Sequence, residues 1–206
     1  LYAILGIDGA IATLNRLFGL TYPLVDGRVA MPLLRWVPDI FHSHKLATYL
    51  HVLLLPVALI IGPLQLSAQL RQRRPQLHRF LGRCYVSAVL VGVPAGVYLG
   101  LFSGEGIVAT MGYFGMGFSA LVCTVLAWHA AQTRDFVSHR AFMIRSYFVL
   151  FSSAIGLRLL LLLVVPRLGP MPQGFHEPYV ICVFLTWSLG LLAADAYLYL
   201  TRRSLL

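Results

Sequence analysis

The chain has 206 residues, 59% hydrophobic and 11% charged, with a mean hydropathy of +0.80. A soluble domain is about half apolar and about a quarter charged, so this chain has too few charges to cover a wetted surface. Sixteen Lys and Arg against seven Asp and Glu give a net charge of +9 and an isoelectric point near 9.9. That balance does not point to nucleic acid, because the arginines sit in short gaps between apolar runs and no zinc-finger spacing, RNA-binding motif or basic helix accompanies them.

The first stretch, 1–45, is mixed: an apolar start broken by Asp8, Asn15 and Arg16, then Pro23, Pro32 and Pro38. It reads as part of a further span, with an interfacial helix on the outer surface as the alternative. The chain opens on Leu1 with no basic n-region and no Ala-x-Ala site, so no signal peptide is expected, and further residues are expected upstream. Five apolar runs follow, at about 46–66, 80–102, 107–131, 141–165 and 179–200. Each meets the roughly 20 residues that cross a hydrocarbon core of about 30 Å at 1.5 Å per residue. Short connections make consecutive helices antiparallel neighbours, and the absence of period-two alternation excludes a β-barrel. The predicted fold is an all-α polytopic transmembrane bundle: an outer-side region 1–45, the bundle 46–200 and a cytoplasmic tail 201–206.

Alternate gaps differ in charge. Arg71, Arg73, Arg74 and Arg79 follow the first run, Arg134 and Arg140 the third, and Arg202 and Arg203 the last. The other gaps hold Glu105 alone, or Arg167 with Glu177. The positive-inside bias therefore predicts a cytoplasmic Arg-rich side, with the residues before Leu46 outside. Cys84, Cys123 and Cys182 lie within apolar runs, too far apart for a Cys-x-x-Cys motif, and read as small buried hydrophobes.

Two Arg-rich corners echo each other: Leu77-His78-Arg79 leading through Gly82-Arg83 to Tyr85, and Ser138-His139-Arg140 leading through Arg145-Ser146 to Tyr147, with one residue of slippage. Both open a helix running outward, which predicts two helix pairs related by a parallel repeat and a fifth helix appended. These corners, with His51, Gly62-Pro63-Leu64-Gln65, the run 71–75, Asp135, Met143 and Leu157-Arg158, resemble a family of bacterial predicted membrane proteins known as domain of unknown function 2306. The likeness covers most of the bundle; Phe142 stands where that family usually has Trp. It implies a multi-pass protein of the bacterial inner membrane and brings no activity.

Two places carry candidate chemistry. In the outer half, His51 and Arg158 each lie five residues from the centres of the first and fourth runs, taken at Pro56 and Ser153, hence about 7.5 Å from the midplane. Tyr98 and Tyr113 lie slightly further out. An Arg at such depth costs about 2.5–3.5 kcal/mol unless paired or hydrated, which marks a binding pocket for a quinone, a haem or an anionic lipid group. The competing reading is that Arg158 snorkels outward and His51 only packs. At the cytoplasmic corner, His78, His129 and His139 suit a b-type haem, or else anchor the helices at the interface. Arg79, Arg83, Arg140 and Arg145 there suit an anionic group or lipid headgroup, with Asp195 as a counter-charge. His42, His44 and His176 give a metal reading little support, and no metal site is assigned.

No nucleophile elbow, phosphate loop or His-Glu-x-x-His occurs, so hydrolysis and phosphoryl transfer are not expected. A redox role would be that of a quinone- or haem-linked electron-transfer component. The sequence thus reads as a subunit or accessory of a larger membrane complex, in contact with lipids and membrane-protein partners; a small-molecule transporter built on the repeat is the alternative.

Overall fold

The computed structural model describes residues 24–25, 28–29, 43–103, 106–164 and 176–203. The expectation for 1–45 falls almost wholly outside them; what is described is a minimal antiparallel pairing of Leu24–Val25 with Arg28–Val29. The rest is helical: α1 (Lys45–Leu66), α2 (Ala68–Arg73), α3 (Pro75–Leu101), α4 (Gly106–Gln132), α5 (Phe136–Phe151), a π turn (Ser152–Gly156), α6 (Leu157–Val164) and α7 (His176–Arg203).

Five of these segments are long and apolar enough to span a bilayer: α1, α3, α4, the run from α5 into α6, and α7. α3 starts at Pro75, earlier than the apolar run alone suggests, because proline's fixed φ and missing N–H suit a first helical position. α2 was not foreseen; Ser67, after α1, caps it by accepting a hydrogen bond from the Leu70 N–H at 3.3 Å. Between α4 and α5 the turn closes with Arg134 in a left-handed conformation, φ 62°, and with Asp135 N–H donating to Ala130 O at 2.9 Å. That is the Schellman arrangement, with arginine where glycine is usual.

α1 lies against α3, α3 against α4 and α4 against α5; α1 also touches α5, so these four close a ring, while α7 covers α4 and α5. Small residues recur in the interior: Ala58, Ala88, Ala120, Ala127 and Ala194 are buried beside Tyr85, Val89, Ile144 and Val149, whereas Ile60, Ile107, Phe118, Leu192 and Leu200 point outward. Small residues between helices and large apolar ones turned to the lipid suit a hydrocarbon solvent, because close packing, and not escape from water, holds such helices together. Gly62 shows the principle, since a side chain there would occupy the space of the Tyr147 ring, which brings α1 against α5.

Near mid-membrane, Tyr85, Thr124 and Ser146 are all 0% exposed. Tyr85 OH and Ser146 Oγ are 2.9 Å apart, Thr124 Oγ1 and Ser146 Oγ 2.7 Å, and Thr124 also donates to Ala120 O at 2.7 Å. This chain of hydroxyls ties α3, α4 and α5 together.

Candidate functional site

His51 lies on α1, about 7 Å beyond that helix's centre toward the end remote from the arginines. Its Nδ1 sits 3.1 Å from Gly92 O on α3. A carbonyl only accepts, so Nδ1 carries the proton; when the ring is neutral, Nε2 is then left as an acceptor. Gly96, one turn on, leaves the room the imidazole occupies.

Arg158 sits at a different height along its helix from the one the sequence suggested. The continuous run Phe136 to Val164 centres near Leu150, not Ser153, so the Arg158 backbone stands about 12 Å from the midplane and no longer shares a depth with His51. Its side chain, however, folds back: Nη1 donates to Ala154 O, four residues earlier. The guanidinium therefore lies about 6 Å from the midplane, level with Gly92 O and the His51 ring. This is the reverse of snorkelling. A helical side chain leans toward the N-terminus of its helix, and just below Arg158 a π turn, with Leu157 N–H bonded to Ser152 O, shifts the register of the carbonyl ladder. Gly190 of α7 makes close approach to the turn possible at Ser152. The Arg158 charge is near enough to bear on the His51 ring. Arg158 is exposed and His51 half-buried, so the arrangement is open and not sealed.

The two tyrosines part company. Tyr113 packs on Gly100 and beside Leu157, Leu160, Cys182 and Val183, on the flank of Arg158. Tyr98 turns to His44 instead: its hydroxyl is 3.1 Å from His44 Nδ1, and Phe102 stacks on the imidazole with ring centroids 4.1 Å apart. A shallow depression of about 310 Å³ opens there, lined by Ser43, His44, Lys45, Leu46, Ala47 and Tyr98. His44 is thereby engaged, and the His42 and His176 side chains lie outside the described ones. Among the described residues no group of three His, Cys, Asp or Glu side chains is placed to hold a metal.

At the Arg-rich end, His78 and His139 are half-buried and close enough to interact electrostatically, while His129 is exposed on α4. His139 Nδ1 is 2.9 Å from Ala127 O. His78 Nδ1 is buried without a hydrogen-bond partner among the described residues. Two of the four arginines expected to meet an anion are engaged within the protein: Arg145 holds Asp195 through Nε at 2.8 Å and Nη2 at 2.7 Å, and Arg140 donates to Thr201 Oγ1 at 3.3 Å. Arg79 and Arg83 are exposed. Asp135 caps α5 by accepting from the Ser138 N–H at 3.1 Å, and the hydrogen bonds from Ser138 hold its carboxyl below the usual carboxylate range.

Sequence reasoning missed the hydroxyl chain and Gln65, a buried side chain whose Nε2 also lacks a partner among the described residues. Tyr85 was visible as the end of the repeated motif; nothing in the sequence marked Ser146 and Thr124 as its partners.

Residues 48–198 match the family described as "Predicted membrane protein (DUF2306)". Comparison with curated proteins and with solved structures gives no match.

Proposed function

The chain belongs to the DUF2306 family of predicted membrane proteins, and from that premise we propose that it is a subunit or accessory of a larger membrane complex, with an intramembrane site at His51 and Arg158 for the head group of a quinone or quinol. The orientation that goes with this reading puts the Arg-rich end on the cytoplasmic side of a bacterial inner membrane, following the positive-inside bias.

The observation that carries the site is the inward fold of Arg158. A guanidinium drawn toward the midplane, with no carboxylate against it among the described residues, is costly in hydrocarbon and calls for a partner. The neighbouring bare His51 Nε2 defines that partner: a phenolic O–H donates to the imidazole, and the guanidinium favours oxygen that is anionic or carbonyl-like. A quinol and its quinone meet both demands, and the lipid-exposed mouth suits their apolar tails.

Native mass spectrometry of the protein purified in mild detergent tests this. A quinone-mass adduct in the wild type that is lost in Arg158→Leu supports the reading, and no adduct in either removes it. A Soret band that disappears with His51→Ala would assign haem instead.

The transporter reading draws support from the repeat. Tyr85 and Ser146 each stand seven residues beyond the histidine of their own corner, and the two are bonded to each other. Proteoliposome flux that depends on Arg158 would favour it.

A further inference from the structure

The two His-Arg corners are built alike and finished differently. At the second, α5 is capped by Asp135, His139 is bonded to Ala127 O, and Arg140 and Arg145 are engaged. At the first, α3 starts with no side-chain cap on its N-terminus. One turn in, His78 Nδ1 is buried and unpartnered among the described residues. Gln65 of α1, only 8% exposed, lays its carboxamide against Gly82, the next turn of α3, with Oε1 3.3 Å from where a Cβ would stand. Its Nε2 too is buried and unpartnered among the described residues. The Arg71 charge bears on His78 from α2.

These features specify a ligand. An amide nitrogen only donates, so Gln65 requires an acceptor. The uncapped end of a 27-residue helix carries positive partial charge and free N–H groups, and Arg71 adds a full charge, so the acceptor is anionic. His78 stands ten residues from the centre of α3, about 15 Å from the midplane, at the edge of the hydrocarbon where lipid phosphates begin. We infer that the first corner, between Gln65, His78 and the start of α3, binds one phosphate-type oxyanion, free or as the headgroup of an acidic lipid. This inference does not rest on the His51–Arg158 site.

The test uses the full chain in an uncharged detergent and in nanodiscs. Inorganic phosphate is titrated by calorimetry at fixed ionic strength. Separately, native mass spectrometry compares retention of phosphatidylglycerol with that of phosphatidylcholine. Saturable phosphate binding assigns a free anion; selective retention of one phosphatidylglycerol assigns the lipid. Either is expected to weaken by about tenfold or more in Gln65→Glu and in His78→Leu, the size of one charge-assisted hydrogen bond. Should Gln65→Glu not fold, Gln65→Met serves in its place. Asp135→Ala and Arg140→Gln, at the second corner, are expected to leave binding unchanged. No saturable binding and no lipid selectivity in the wild type overturns the inference, as does binding that survives both Gln65 and His78 substitutions.

Discussion

The corner around His78 and the corner around His139 start from nearly the same residues and reach opposite conditions. Around His139 the polar groups close on one another; around His78 two buried nitrogens remain without partners among the described residues. Self-satisfied polar groups in a membrane bundle act as structure, whereas unsatisfied ones cost free energy and persist where something else meets them. The contrast separates the two copies of the motif: the second clamps α4, α5 and α7, and the first keeps buried nitrogens that nothing among the described residues satisfies.

Substitutions break or sharpen this contrast. The largest expected effect is Asp195→Ala, which leaves Arg145 inside the bundle span without its carboxylate. Thermal unfolding in detergent is expected to show a loss approaching the roughly 2.5–3.5 kcal/mol of an unpaired membrane Arg, reduced because the pair is partly exposed. Next come the two histidines, which are expected to differ in sign. His139→Leu loses a hydrogen bond and destabilises by about 1 kcal/mol, whereas His78→Leu removes an unpartnered buried nitrogen and is neutral or stabilising in phosphate-free, lipid-depleted detergent. Equal losses would erase the distinction. Arg134→Gly relieves the left-handed position and tightens the closed corner by about 0.5–1 kcal/mol, read as a higher melting temperature.

The smallest effect is that of Asp135. Its carboxyl is held below its unfolded value, so its contribution is fully present above the unfolded carboxylate range near 4 and fades as the pH falls through the lower folded value. Melting curves of Asp135→Asn and wild type are expected to differ slightly at neutral pH and to converge in acid.

The spans were legible because hydrocarbon imposes one composition over about 20 residues, a signal that needs no knowledge of packing. The same logic made the ion pair foreseeable: Arg145 and Asp195 are charges inside apolar runs, and each needs the other. What stayed hidden depends on helix rotation and register. Depth alone put Tyr98 with His51, yet its position around α3 gave it to His44. The π turn at Ser152–Gly156 has no sequence mark, and the hydrogen bond from Arg158 to Ala154 O beside it was equally hidden. Gln65 entered the sequence reading only as part of a family motif; its burial depends on the packing of α1 on Gly82.

The most direct test of the outer site is the state of the His51 ring, read by nitrogen-15 NMR of the histidine-labelled protein in bilayers and assigned with His51→Ala. The expected result is a neutral imidazole protonated at Nδ1, with a bare Nε2 whose shift moves in Arg158→Leu. A ring protonated at Nε2, or one indifferent to the loss of the guanidinium, would contradict the account.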